Sequence, residues 1–146
     1  MTHRGKAFLE TCAEHGVHLS DSIYYCSNQI DSGYAIGQEM VLKGNLKKVI
    51  FCNLDVVALG LLSAFHEAGI QVGQDIQVFS ASNGPSRLMA RSIPSLTVVD
   101  MKMEETVERS LRMMIGILNK NIKGEQRQVV HPTMIYRQSS PVQHML

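Results

Sequence analysis

The 146-residue chain predicts a three-layer αβα domain built on a mainly parallel sheet. Two observations carry that prediction. Short apolar runs rich in β-branched and aromatic residues alternate with longer stretches whose apolar residues recur at helical spacing. The clearest unit, Lys48 to Gly69, sets KVIFC directly before DVVALGLLSAFHEAG across the single turn Asn53-Leu54. A strand feeding a helix of this length builds a parallel sheet covered on both faces. Turns at the carboxyl ends of such strands are where open α/β sheets hold ligands, so residues 52–55 and their counterparts are the first candidates for a site.

Taken in order, residues 2–16 predict an amphipathic helix, with Ala7, Phe8, Cys12 and Ala13 on one stripe and Gly16 as its stop. SIYYC (22–26) reads as a strand. A helix over 32–43 follows, capped by Asp31 or Ser32 and ended by Gly44. Strand 48–52 leads to helix 55–68, with Asp55 as N-cap and Gly69 as stop. Strand 75–80 precedes the turn cluster Ala81-Ser82-Asn83-Gly84-Pro85, and 86–91 holds a short helix that Pro94 forbids from continuing. Residues 96–99 form a strand, 103–121 a long helix with Val107, Leu111, Met114, Ile115 and Leu118 on one stripe, and 133–137 a last strand. Strands 22–26, 48–52 and 75–80 are expected to be parallel neighbours, with helices on both faces.

Length suits one domain, and 45% hydrophobic with 18% charged residues describes an ordinary globular protein. The net charge of +1 and the scattered Lys and Arg residues, adjacent only at Lys47-Lys48, offer no basic stripe for nucleic acid. No run approaches the ~18 apolar residues of a membrane span, and no signal-peptide core is visible, so no membrane partner and a cytoplasmic location are expected. Cys12, Cys26 and Cys52 are too widely spaced for a CxxC pair and read as free buried thiols. His15 and His18 straddle Gly16 without a third ligand nearby, so surface histidines and no metal or other cofactor are expected. There is no GxSxG, phosphate loop or HExxH, and enzymatic activity is not expected.

Five segments in order then carry a likeness: Arg4-(x2)-Ala7-Phe8 with Gly16, Asp31-Ser32-Gly33-Tyr34, Asp55-Val56-Val57-Ala58-Leu59-Gly60, Pro94-Ser95-Leu96-Thr97-Val98, and Tyr136-Arg137-Gln138-Ser139-Ser140. Together they resemble the effector-binding domain of the lac-repressor/galactose-repressor transcription regulators, which share the periplasmic-binding-protein-like I fold. The resemblance implies that residues 1–96 are the core of the C-terminal subdomain. It makes 97–121 a crossover strand and helix belonging to the first subdomain, and 133–140 a returning strand and tail. It further implies a truncated piece without the opening strand of its subdomain, most of the first subdomain, or the helix-turn-helix headpiece through which the full-length protein meets DNA. The partners it implies are a small-molecule effector, sugar-like or phosphorylated, and a second copy of the chain. A sugar-binding transport receptor of the same fold is the alternative.

The same resemblance assigns ligand-binding positions to Arg4, Asn28, Leu54 and Ser82. Arg4 matches the family arginine, and a guanidinium fork can engage two oxygens at once. The other three depart from the pattern. Asn28 stands where many members carry a stacking aromatic, Leu54 where they carry a ligand-facing Asn, and Ser82 where they carry Asp, while Asn53 is expected to point elsewhere. An unpaired buried hydroxyl costs about 1–3 kcal/mol, so these changes argue against an ordinary hexose and leave a smaller or less polar ligand, a phosphorylated one held through Arg4, or none. The dimer contact implied by the resemblance runs along helix 55–68 and segment 87–94, through Asp55, Leu59, Leu62 and Ile93. Helix 55–68 carries more apolar residues than one sheet-facing stripe needs. Gly60 and Ala58 are expected to allow close packing.

Overall fold

The computed structural model describes residues 3–19, 22–82, 87–121, 124 and 126–141, Arg87 by its backbone only. Its elements are α1 (His3–Glu14), α2 (Ile30–Leu42), β1 (Val49–Cys52), α3 (Asp55–Glu67), β2 (Gln77–Ser82), α4 (Arg87–Arg91), β3 (Thr97–Asp100), α5 (Met103–Leu118) and β4 (Thr133–Ile135). One sheet runs β1-β2-β3-β4. β1 pairs with β2 and β2 with β3 in parallel, whereas β4 returns antiparallel to β3. The mainly parallel α/β sheet expected from the sequence is the one observed.

Residues 22–26 are a correction. SIYYC forms no ladder, although its composition suits a strand. Composition reports how well side chains fit a pleated surface, while a strand exists only where a neighbour accepts its backbone bonds. Here the segment is held by side chains instead, Asn45 Nδ2 donating to Tyr24 Oη at 3.3 Å. The expected caps also move. Gln29 and Leu54 occupy the N-cap positions of α2 and α3 without side-chain capping bonds, because both helices begin before or at the predicted capping residue. Asp55 is then the first residue of α3, and its carboxylate accepts the N–H of Val56 at 2.9 Å, where the positive end of the helix dipole favours it.

Alternation along the strands sorts the core into two faces. Ile50 and Val78 stand opposite one another, as do Ser80 and Val98, on the face that packs with Leu61, Leu62 and Phe65 of α3. Phe51 and Phe79 point the other way, where Phe8 of α1 stacks on Phe51 with ring centroids 4.6 Å apart. Helices therefore cover both faces.

α2 and α3 touch backbone to backbone. A methyl at Gly33 would collide with Val57 O and one at Gly60 with Ile30 O, while one at Gly37 would lie 2.6 Å from Ala64 Cβ. This is the physical content of Gly33 in Asp-Ser-Gly-Tyr, and it bears out the close-packing role of Gly60. α3 is thus sandwiched between α2 and the sheet, and Val57, Ala58, Leu61, Leu62, Ala64 and Phe65 are all buried. Most of the apolar surplus expected to meet a partner is spent inside the chain.

The tail fastens the sheet. Ser139 Oγ donates to Val78 O at 2.6 Å and accepts from Thr97 N at 2.8 Å, and Val78 N donates to Ser139 O at 2.9 Å. Arg137 Nη1 donates to Leu96 O at 2.6 Å, and Arg137 N to Thr97 Oγ1 at 2.8 Å. The Arg-Gln-Ser-Ser motif is a clasp across β2 and β3. In contrast, α5 buries none of its residues, and the predicted stripe Val107, Leu111, Met114, Ile115 and Leu118 stands exposed.

Candidate functional site

A cavity of about 820 Å³ wraps the free edge of β1. Its walls come from α1 (Phe8, Leu9), the unpaired 22–28 segment (Tyr24, Asn28), α2 (Ile36, Met40) and the β1–α3 junction (Asn53, Leu54). Because β1 is the edge strand, nothing in the ladder closes this side, and the 22–28 segment runs past it without pairing. The lining is mostly aliphatic and aromatic, with Ser22, Asn28, Lys47, Asn53 and the tyrosines among its polar groups. Predominantly apolar walls with a few placed polar groups are usual for a small-molecule site.

The structure divides the expected ligand positions. Asn28 and Leu54 both line the cavity. Arg4 is half-buried on the first turn of α1, and its neighbour Gly5 lines the wall. Ser82 lies elsewhere. It is 2% exposed, and its hydroxyl donates to Asp55 Oδ2 at 2.8 Å, so Ser82 and Val56 N share the Asp55 carboxylate. Asn53, expected to point away, lines the cavity beside Leu54. Sequence reasoning missed the aromatic wall of Phe8, Phe51 and Phe79, for which the signals were the helical stripe that carries Phe8 and strand alternation within KVIFC and DIQVFS.

The thiols also divide. Cys52 is buried, and burial, with Cys26 nearby, pushes its pKa up to about 12. Cys26 is exposed and Cys12 half-buried, so the expectation of three buried thiols holds only for Cys52. Among the described residues no cluster of His, Cys, Asp or Glu is arranged to hold a metal ion, and His3, His15, His18, His66 and His131 are all exposed.

Of the expected dimer residues, Ile93 is 80% exposed and Leu59 half-buried. Leu62 is 3% exposed and packs in the core, so its side chain is closed to a partner.

An open α/β sheet with a largely apolar cavity along its edge strand has the layout of a ligand-binding domain. The chain matches the family described as periplasmic binding protein-like domain over residues 1–140, and it belongs to that family, as an effector-domain segment of the LacI/GalR type. It is 28% identical over 137 residues to the HTH-type transcriptional repressor PurR of Erwinia tasmaniensis, covering 93% of this chain and 40% of that protein. The PurR repressor of Mannheimia succiniciproducens is 29% identical over 139 residues, with the same coverage. A LacI family transcription regulator from Clostridium acetobutylicum superposes with a TM-score of 0.84 at 27% identity, over 92% of this chain and 50% of that one. A LacI family regulator from Arthrobacter sp. FB24, solved in complex with lactose, superposes with a TM-score of 0.83 at 21% identity, over 96% of this chain and 52% of that one. The chain thus spans about 40% of the length of the curated relatives it matches.

Proposed function

We propose that this domain senses a small molecule for a LacI-type transcription regulator and passes the bound state to a DNA-binding headpiece elsewhere in the full-length protein, which would work in the cytoplasm. The observation that carries this reading is the convergence of Asn28, Asn53, Leu54 and Gly5 of α1 on one cavity along β1. Its walls favour a ligand with a flat or apolar body and few hydroxyls, since Leu54 and the phenylalanines return no hydrogen bonds to a sugar. Arg4, next to the lining residue Gly5, would suit a carboxylate or phosphate group on such a ligand. The relatives named above are repressors, which favours regulation over the transport alternative.

Two assignments belong to the same proposal. The exposed α5 stripe is the surface on which 97–121 meets the first subdomain of the full-length protein. Asp55, Leu59 and Ile93 lie along a two-fold contact with a second copy, and burial removes Leu62 from that set. Titration calorimetry against sugars, phosphosugars and nucleosides tests the ligand reading. Arg4→Ala should weaken the best binder about tenfold or more; unchanged affinity would take Arg4 out of the site.

A further inference from the structure

We propose that the Asp100–Lys102 turn is a two-position joint that aims α5, and that Ser82 couples this joint to the Leu54-Asp55 turn beside the cavity. Among the described residues α5 packs extensively on no other element, so its direction is decided where it leaves β3. There Lys102 takes a left-handed conformation, φ 53° and ψ 42°. Residues other than glycine hold that conformation only where their surroundings impose it.

Asp100 imposes it here. Its carboxylate, 3% exposed at the end of β3, accepts the Lys102 N–H on Oδ1 at 2.9 Å, and the Lys102 ammonium lies 3.2 Å from Oδ2. On the far side of the joint, Thr106 N and Thr106 Oγ1 both donate to Lys102 O at 2.9 Å, which fastens the first turn of α5 to it. The right-handed well is the alternative that continues the helix. In it Lys102 would become the first residue of a longer α5, and the axis would leave β3 in another direction.

Met101, between the two, donates its N–H to Ser82 O at 2.9 Å, and Ser82 Oγ donates to Asp55 Oδ2 at 2.8 Å. Asp55 follows Leu54, which lines the cavity. A ligand that shifts the Leu54-Asp55 turn therefore pulls on Ser82, and through Met101 on an element that has two discrete positions, which is the physical requirement for coupling. α5 carries the exposed apolar stripe, so re-aiming it changes the surface offered to the rest of the regulator.

The ligand step rests on the effector reading, while the joint and its tie to Ser82 do not, and the experiment uses no ligand. Residual dipolar couplings on the isotope-labelled full chain give the direction of α5 relative to β1, β2 and β3, and amide exchange gives the protection of Lys102 N–H. Lys102→Gly, free to adopt the left-handed conformation, should keep the parental direction. Lys102→Val, whose branched side chain opposes that conformation, and Asp100→Ala should both turn α5. Lys102→Val spares the buried carboxylate, so the joint stays testable if Asp100→Ala does not fold, and an unchanged direction in Lys102→Val would overturn it. Ser82→Ala should speed exchange at Lys102 about tenfold or more with β1, β2 and β3 undisturbed, and Ser82→Thr, which keeps the hydroxyl, should restore the parental rate. Parental exchange in Ser82→Ala, or a disturbance of the strands as large as that of α5, would overturn the coupling and leave the joint standing. Failure of every small molecule to bind the parent would count against the effector reading alone.

Discussion

α3 and α5 carry comparable apolar stripes, yet α3 buries seven of its residues and α5 buries none. α3 has α2 on one side and the sheet on the other, with Gly33 and Gly60 allowing the helices to meet backbone to backbone. α5 leaves β3 through Lys102, whose left-handed conformation (φ 53°) is supported by the buried Asp100 carboxylate, and among the described residues it packs extensively on no other element. An amphipathic pattern states which face requires cover. It does not say whether the cover lies in the same chain.

That contrast can be broken in graded ways. Phe65→Ala should be the most damaging change, since the ring is fully buried beneath α2 and the sheet; we expect a loss of roughly 3–5 kcal/mol in denaturant unfolding. A value below about 1 kcal/mol would mean the α2–α3 sandwich is looser than described. Ser139→Ala leaves Thr97 N–H and Val78 C=O without the hydroxyl partner and should cost about 1–3 kcal/mol, with amide exchange accelerated at Thr97.

The buried Cys52 thiol adds a pH dependence to the packed half. Burial pushes its pKa in the folded state up to about 12 from an ordinary thiol value of 9.0, so the neutral thiol's contribution to stability is fully present below pH 9. Above that the unfolded chain ionises first, and stability should fall by roughly 1 kcal/mol per pH unit as pH rises towards 12. Cys52→Ala should flatten that slope; an identical slope in the variant would place the titrating group elsewhere.

The smallest effects belong to the exposed surfaces. Leu111→Ala on α5 should change stability by no more than about 0.5 kcal/mol in this chain, because the side chain is already in solvent. Ile93→Lys should likewise leave the fold alone while lowering the mass measured in solution if Ile93 lies on the two-fold contact. A parent that is already monomeric would remove that contact.

Much of this architecture was legible because it is written locally. The strand, turn and helix from 49 to 67 can be read from period alone, and the RQSS motif was recognisable before its bonds to β2 and β3 gave it a reason. Residues 22–26 were not legible. Tyr24 and Ile23 satisfy any strand preference, but pairing depends on a neighbour, which a single segment cannot declare. The caps failed for a related reason: Gln29 and Leu54 are poor capping residues, and tertiary packing of α2 against α3 sets those helix starts instead. The cavity was half legible. The turn at its mouth follows from sheet topology, whereas its aromatic wall assembles Phe8, Phe51 and Phe79 from three elements.

The tail clasp gives this domain an order of assembly. Val78 and Thr97 emerge from the ribosome well before Ser139, whose hydroxyl bridges them. A nascent chain can pair β1 with β2 early, but the hydroxyl that fastens β2 to β3 follows Thr97 by 42 residues, and such a long-range closure slows that step.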